Sequence, residues 1–263
     1  CCMNYKYYQV DAFSDKVFGG NPACVVPLQN WLSDDLLLKI AQENAVAETA
    51  FFIDNGESVD LRWFTPDLEI DLCGHATLAA AHILKSILHY PLDEIVFKTL
   101  SGVLRVTYQD GLYYLNLPSR APISAELPKE IKSALNIQPQ EVYKARDYML
   151  VYRNKQEIKD IQINRQYFDQ INLGCGGVIV TAPGNTYDFV SRYFTPQATI
   201  LEDPVTGSAH CTLIPFWSTR LSKKNLQTIQ LSKRSGELSC RDTSDRVIVG
   251  GQATTYSSGE FFI

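Results

Sequence analysis

The chain has 263 residues, of which 45% are hydrophobic and 20% charged, and this composition excludes a disordered, collagen-like or coiled-coil protein. The net charge is −5 at pH 7 and Lys and Arg never run beyond adjacent pairs, so the basic surface of a nucleic-acid-binding protein is missing. The longest apolar-rich segment, 76–88, is interrupted by polar residues and too short to cross a bilayer. We therefore expect a folded protein that binds neither nucleic acid nor membrane.

The seven cysteines are scattered and form no C-x-x-C pair. The first residues also lack the charged start and apolar stretch of a signal peptide. We therefore predict free thiols and a cytoplasmic location. Cys1 and Cys2 precede Met3, a plausible natural start, so we exclude both from function.

The first half of the chain is predicted to contain two helices among several strands. Ser33 is predicted to cap a helix over 34–45, whose first turn carries two aspartates that favour the exposed amides and the helix dipole. A second helix, over 75–90, is apolar over most of its circumference as far as Leu84, so its first turns should be buried nearly all round. A turn is predicted at 19–22. Strands are predicted over 5–13, 23–28, 49–53, 59–65, 94–100, 102–109 and 112–118.

A stretch with three prolines, 118–128, resembles a linker and divides the chain. We predict an N-terminal half over 3–118 and a C-terminal half over 119–263, with a last strand able to cross back to the first half. In the second half a short helix is followed by a helix from Ser208, which Pro215 should bend because proline removes one amide and clashes with the carbonyl four residues back. Strands are predicted over 177–183, 187–195, 226–232, 236–240 and 246–251, in the order of the first half.

One five-residue pattern occurs twice: Arg-Trp-Phe-Thr-Pro at 62–66 and Arg-Tyr-Phe-Thr-Pro at 192–196, spaced 130 positions apart. Each copy leads into an acidic loop, a glycine and a helix of small residues. A repeat at this spacing predicts two similar halves of ordinary domain size. Aligning the glycines pairs Gly74 with Gly207, Glu69 with Glu202, Cys73 with Thr206 and His75 with Ser208. We expect such halves to pack about a pseudo-two-fold axis with the matching helix starts facing each other.

Both matching helices begin with a glycine followed by a small or polar residue, at Gly74-His75 and Gly207-Ser208. Backbone amides at a helix start have no partner within the helix and favour an anion. Two such starts facing each other would bind a small carboxylate. The alternative is that Gly74 and Gly207 only permit close packing.

Glu48 stands out because its chain neighbours, in AVAETAFFI, are almost all apolar. An apolar setting disfavours the charged form of a carboxylate, which suits a group that takes up and returns a proton. The alternative is a structural role, in which Glu48 caps a loop or pairs with a distant arginine.

Two further side chains are candidates for chemistry. His75 opens the buried helix, where the dipole favours a neutral imidazole able to donate or accept a hydrogen bond, although a core histidine with satisfied hydrogen bonds would look the same. Asp203 lies in the loop before Ser208 and could orient His75 or a substrate amine, although loop acids are more often turn formers. His82, His89, His210 and Cys211 are interpreted as structural.

No motif for a cofactor or metal is present in the sequence. The glycines of NLGCGGVIV lack the G-x-G-x-x-G spacing and lead into a strand, and no P-loop, H-E-x-x-H or G-x-S-x-G pattern occurs. His82 and His89 lie too far along the helix to share a metal with His75. We therefore expect neither a cofactor nor a metal.

Four ordered segments, DAFSDKVFGGNPACVV, ENAVAETAFF, RWFTPDLEIDLCGHATLAAAH and EDPVTGSAHC, resemble the successive motifs of the phenazine-biosynthesis PhzF-like family over nearly the whole chain. The resemblance implies an α+β fold of two pseudo-symmetric halves, each a mostly antiparallel sheet wrapped round a central helix, as in diaminopimelate epimerase. It also implies a homodimer. In the phenazine enzyme the glutamate at the position of Glu48 is acid and base in isomerising a dihydro-hydroxyanthranilate.

In that enzyme the residues at the positions of His75, Asp203 and Ser208 contact the substrate, and all of these side chains are retained here. We therefore predict an isomerase that moves a proton on a small carboxylate, with Glu48, His75 and Asp203 as catalytic residues. Substrate-binding residues are predicted to be Asn21, Cys73, Gly74, Gly207 and Ser208.

Two other functions remain open. One is an amino-acid epimerase that uses Cys73. It is disfavoured because diaminopimelate epimerase uses two thiols and the partner position here is Thr206, although a mixed pair of Cys73 with Asp203 is conceivable. The other is a ligand-binding or interaction protein without catalysis. A pure binder would not need a glutamate in apolar surroundings.

Overall fold

The computed structural model describes residues 3–263, so Cys1 and Cys2, to which no function is assigned, lie outside the described residues. The chain divides into two compact units. Unit 1 comprises the chain up to Leu117 together with Ile248–Ile263, and unit 2 comprises Pro118–Val247.

Within residues 3–263, unit 1 contains two α-helices, a short π-helix and ten strands, one of which it shares with unit 2. The α-helices are α1 (Asp34–Asn44) and α2 (Gly74–His82), and the π-helix Ile83–Ile87 continues α2. The first strands are β1 (Asn4–Ala12), β2 (Asn21–Pro27), β3 (Glu48–Asp54), β4 (Val59–Phe64) and β5 (Glu69–Ile70). The others are β6 (Glu94–Thr99), β7 (Gly102–Gln109), β8 (Leu112–Pro118), β17 (Arg246–Gly251), within which the chain passes from unit 2 to unit 1, and β18 (Ala253–Phe262).

The sheet of unit 1 surrounds α2. Two strand pairs are parallel, β2 with β3 and β4 with β6. The antiparallel pairs are β1 with β18, β1 with β2, β3 with β4, β6 with β7, and β7 with β8. α2 packs against β1, β2, β3 and β18, and its residues Gly74 to Ala81 are all buried. A helix that is buried on nearly every side accommodates few charged residues, which fits the run of alanines in α2.

Helix α1 covers another face of the same sheet, where Leu37 and Ile40 pack with Val26, Phe51 and Phe64. The helix begins after Ser33 as predicted, but the hydroxyl of Ser33 makes no capping hydrogen bond among the described residues. The Ser33 carbonyl accepts hydrogen bonds from the backbone amides of Leu36 and Leu37. The turn predicted at 19–22 is shorter than expected, because β2 already begins at Asn21.

Unit 2 repeats the order of unit 1. Its helices are α3 (Lys129–Ala134), α4 (Lys155–Asp160), α5 (Arg165–Phe168) and α6 (His210–Leu221), with a 3-10 turn, Gly207–Ala209, leading into α6. Its strands are β9 (Ile123–Ser124), β10 (Glu141–Lys144), β11 (Tyr148–Val151), β12 (Val178–Pro183), β13 (Phe189–Phe194), β14 (Glu202–Asp203), β15 (Asn225–Gln230) and β16 (Gly236–Asp242). β11 with β12 and β13 with β15 are parallel, as β2 with β3 and β4 with β6 are in unit 1.

The repeated Arg-x-Phe-Thr-Pro pattern forms the same ion pair in both units. Arg62 on β4 binds both carboxylate oxygens of Glu69, and Arg192 on β13 binds both oxygens of Glu202. The strand registers agree, since Phe64 pairs with Glu69 and Phe194 with Glu202. The structure therefore places Glu69 and Glu202 in equivalent positions, as the sequence alignment does. In each unit this ion pair ties the loop before the central helix to the preceding strand.

Pro215 lies inside α6, as predicted. Proline has no amide, so the carbonyl of Cys211, four residues back, loses its partner within the helix. The backbone amide of Arg120 donates to that carbonyl at 2.8 Å. The segment that begins unit 2 therefore satisfies the acceptor that Pro215 leaves unpaired.

Taken unit by unit, the architecture is an α+β fold in which a mixed sheet surrounds a central helix. None of the helices in residues 3–263 has the length and apolarity needed to cross a membrane.

Candidate active site

Glu48 and His75 meet in unit 1. Glu48 is the first residue of β3 and His75 the second residue of α2, and Oε2 of the carboxylate lies 2.9 Å from Nε2 of the ring. The side chains are 17% and 4% exposed, respectively. Glu48 thus has a polar partner that its chain neighbours did not indicate, and the pair forms a buried acid–base contact.

Asn21 and Cys73 hold the other side of the His75 ring. Nδ2 of Asn21 lies 3.1 Å and Sγ of Cys73 3.5 Å from Nδ1. When the Asn21 amide donates to Nδ1, the ring proton lies on Nε2 and faces Glu48. A doubly protonated ring would require the Asn21 amide to present its oxygen, which a simple turn of the amide provides. Asn21 can therefore orient the ring in either protonation state.

The electrostatics of the site differ from the expectation of a neutral His75. Burial disfavours the charged ring, but the Cys73 sulfur and the Glu48 carboxylate outweigh it, so the pKa of His75 lies well above its usual value. Because Cys73 is a thiol at neutral pH, the Glu48 carboxylate is the charge that favours a protonated ring. Burial, followed by the charge of Glu48, raises the pKa of Cys73, so its sulfur stays a thiol at neutral pH.

Two atoms of this site have unused hydrogen-bonding capacity. Although Glu48 Oε2 and His75 Nε2 lie at ion-pair distance, neither has a hydrogen-bond partner with good geometry among the described residues. Buried polar atoms in native proteins nearly always have such partners, and exceptions cluster at functional sites. These two atoms are therefore the ones that a substrate could engage.

The remaining predicted residues lie in unit 2, around the start of the 3-10 turn. Thr206 donates its hydroxyl proton to Asp203, and Gln230 holds the loop by bonding the Asp203 carbonyl and the Thr206 amide. Gly207 is the first and Ser208 the second residue of the 3-10 turn. Asp203 and Ser208 thus lie on a loop and helix start that are fixed by a buried glutamine.

A buried ion pair that was not predicted from the sequence lies beside Ser208. Asp147 is 1% exposed, and its carboxylate accepts hydrogen bonds from the guanidinium of Arg146, the amide of Gly177 and the hydroxyl of Tyr193. Nη2 of Arg146 also donates to Oγ of Ser208 at 3.1 Å. The available sequence signal was an adjacent Arg and Asp directly before the buried strand β11.

The acid–base pair occurs in only one of the two repeats. Thr49 pairs with Phe64 on β4 and Val178 with Phe194 on β13, so the preceding residues, Glu48 and Gly177, occupy equivalent positions. A Cβ at Gly177 would lie 2.6 Å from the Tyr193 ring and 2.7 Å from the Phe194 carbonyl, which excludes any side chain there. Unit 2 therefore cannot carry a second copy of the glutamate.

Two of the three histidines interpreted as structural, His82 and His210, are bonded within their own units, whereas His89 is exposed. His82 contacts the hydroxyls of Tyr113 and Thr255, and Nδ1 of His210 lies 2.9 Å from the Thr206 carbonyl. Burial lowers the pKa of His82 to about 4, and it lowers that of His210 to about 4 despite the Thr206 contact. Both rings are neutral in the folded protein.

These two pKa values predict a loss of stability in mild acid. Below pH 6.5 the unfolded chain protonates both histidines while the folded chain does not, until about pH 4. The free energy of unfolding should therefore fall with decreasing pH by about 1.4 kcal/mol per unit for each histidine. Urea titrations of wild type and His82→Gln between neutral pH and pH 5 test this. The variant should show a shallower slope, whereas the exposed-site control His89→Asn should keep the wild-type slope.

Solved structures of distant proteins share this fold. A hydroxyproline epimerase from Agrobacterium vitis matches 99% of this chain and 93% of its own with a TM-score of 0.64 at 8% identity, a likeness of fold alone.

Closer relatives define the family. A model of the family described as phenazine biosynthesis-like protein (PhzC-PhzF) matches residues 10–259. A Pseudomonas aeruginosa protein named as an uncharacterized isomerase is 44% identical, with 98% of each chain covered. The crystal structure of a PhzF family protein from Enterococcus faecalis has 43% identity and a TM-score of 0.95, over 99% of this chain and 100% of that chain. The chain belongs to the phenazine biosynthesis-like (PhzF) family.

Proposed function

We propose that the protein is an isomerase that moves a proton on a small carboxylate, such as a cyclic amino acid-like molecule, without a cofactor. The Pseudomonas aeruginosa relative is named an isomerase, which supports the reaction class. The observation that carries the proposal is the buried contact of Glu48 with His75, in which both facing atoms lack a well-directed hydrogen bond among the described residues.

Glu48 is the group that moves the proton. Its ionised carboxylate removes a proton from a carbon of the substrate and, now neutral, returns it to another carbon. Nε2 of His75, 2.9 Å from Oε2, holds the carboxylate in place. Nε2 of His75 can then donate to the oxygen on which negative charge develops as the proton leaves.

The start of α2 offers a place for the substrate carboxylate. No side chain caps this helix among the described residues, so the first amides, at Gly74 and His75, remain available to an anion. We assign Gly74 and Cys73 to substrate binding and Asn21 to orientation of the His75 ring. Asp203, Gly207 and Ser208 remain predicted contributors of unit 2, Asp203 as a catalytic group. The homodimer and the cytoplasmic location likewise stay predictions.

An amino-acid epimerase that uses Cys73 is the alternative. Cys73 lies beside His75, which could accept its proton. Two observations disfavour it: burial raises the pKa of the Cys73 thiol, and the equivalent residue of unit 2 is Thr206 rather than a second cysteine. A binding protein without catalysis is a further alternative, but it leaves the Glu48–His75 contact without a use.

Hydrogen exchange with solvent tests the proposal. Small cyclic and α-amino carboxylates are incubated with the protein in deuterated water, and NMR follows loss of each carbon-bound hydrogen together with any shift of a double bond. An isomerase should deuterate or rearrange one class of these acids catalytically. Inversion at the α-carbon without double-bond movement would instead support the epimerase, and binding without exchange or rearrangement would support the binding protein.

A further inference from the structure

We propose that Glu48, Cys73 and His75 form a binding site for a divalent cation that favours sulfur ligands, such as Zn²⁺. One carboxylate oxygen, one sulfur and one ring nitrogen lie within 4.8 Å of one another. Tetrahedral zinc with ordinary bond lengths to these atoms places its ligands about 3.4 Å apart. The Glu48 oxygen lies 2.9 Å from Nε2 of His75, near that separation, whereas Sγ of Cys73 lies 3.5 Å from the other ring nitrogen, Nδ1. For an ion held at Nε2, the Cys73 side chain would have to rotate toward that nitrogen to complete the site.

The charges at the site favour a divalent ion over a monovalent one. When the ion binds, the Cys73 thiol and the ring nitrogen of His75 that becomes a ligand each release a proton to solvent, which leaves a thiolate and a neutral imidazole. The thiolate and the Glu48 carboxylate then carry two negative charges, which a divalent cation cancels. Neutrality matters because the Cys73 and His75 side chains are buried, and an uncompensated charge there would be costly.

The ligand atoms also select the kind of metal. Sulfur and imidazole nitrogen suit Zn²⁺ and related ions, whereas Mg²⁺ and Ca²⁺ require oxygen ligands throughout. Three protein ligands leave the fourth tetrahedral position for water or another small ligand. Asn21 steadies the ring, as outer partners of metal-binding histidines commonly do.

Metal binding and proton transfer would exclude each other. Glu48 cannot take up a substrate proton while its oxygen binds a cation, so Zn²⁺ should inhibit the protein. This inhibitory consequence rests on the proposed function, whereas the binding itself does not. A spectroscopic measurement of metal binding therefore tests the metal site independently of the proposed isomerase activity.

Titration with Co²⁺, a coloured substitute for Zn²⁺, tests the site directly. Chelator-treated wild-type protein should develop a thiolate-to-cobalt absorption band that saturates at one equivalent and disappears when Zn²⁺ is added. Cys73→Ser should lose the band. Glu48→Gln should bind Co²⁺ at least about 10- to 100-fold more weakly, the range known even for residues that only support a ligand. Cys175→Ser, which removes an exposed thiol, is the matched control and should behave as wild type.

Two results would overturn the inference. One is the absence of a thiolate band in wild type at stoichiometric Co²⁺, a result that does not depend on whether any variant folds. The other is a band that persists in folded Cys73→Ser and vanishes in Cys175→Ser, because the exposed cysteine would then be the ligand.

Discussion

Glu48→Gln is expected to lower the rate of carbon–hydrogen exchange on a responsive carboxylate by about 10²- to 10⁴-fold, the usual contribution of a positioned acid–base group. Glutamine keeps the size of the side chain and can still contact His75, but it cannot take up and return a proton. Substrate binding should survive the change, and it should strengthen if the carboxylate of Glu48 repels that of the ligand. Rates come from NMR in deuterated water and affinities from calorimetry with the same acid.

Two variants serve as controls for that experiment. Glu57→Gln makes the same chemical change at an exposed turn of unit 1 and should leave exchange unaltered. Cys73→Ala removes the thiol on which the epimerase depends. If exchange continues at the wild-type rate in Glu48→Gln and stops in Cys73→Ala, the thiol rather than the carboxylate carries the chemistry.

The repeat was the most predictable part of the fold. Two copies of Arg-x-Phe-Thr-Pro, followed by glycine and small residues, predicted two matching units, and the strand pairings have the same order in both. Local pattern sufficed because each copy is one strand, one loop and one buried helix. What the pattern could not reveal was the reason for the arginine, since Arg62 binds Glu69, and Arg192 binds Glu202, across a loop of different length in each unit.

The site was predictable residue by residue but not as a set of contacts. Glu48 and His75 were each chosen from local surroundings, an apolar strand and a helix start. Their 2.9 Å contact depends on how α2 packs against β3, which adjacent residues do not encode. The expectation of a neutral His75 considered the helix dipole and omitted the Glu48 carboxylate, which raises the pKa of the ring.

Asp147 was missed because its partners are distant along the chain. Arg146 is adjacent, but the amide of Gly177 and the hydroxyl of Tyr193 come from other strands or loops of unit 2. A buried carboxylate is tolerated only when several donors surround it. The sequence places Arg146 next to Asp147, but only the fold brings the Gly177 amide and the Tyr193 hydroxyl to the same carboxylate.

Those contacts make Asp147→Ala the substitution with the largest expected effect on stability. Burial, followed by the charge of Asp147, raises the pKa of Tyr193 well above its usual value, so its hydroxyl stays protonated and donates to the carboxylate. Alanine would leave that hydroxyl, the Gly177 amide and the Arg146 guanidinium without their shared acceptor. Breaking a buried ion pair in this way typically costs about 3–5 kcal/mol. Urea unfolding should show a loss of this size.

Asp147→Asn and Asp160→Ala determine whether that loss reflects the contacts themselves. Asparagine keeps an acceptor for Tyr193 or Gly177 and loses only the charge that holds Arg146, so it should fall between wild type and alanine. Asp160 is exposed at the end of α4, and its replacement should change stability by no more than about 0.5 kcal/mol. Arg146 also donates to Ser208, so both Asp147 variants should shift the amide resonances of the 3-10 turn, 207–209, while Asp160→Ala leaves them in place. A loss below about 1 kcal/mol for Asp147→Ala, less than one lost buried hydrogen bond, would contradict a structural role for this acid in fixing Arg146.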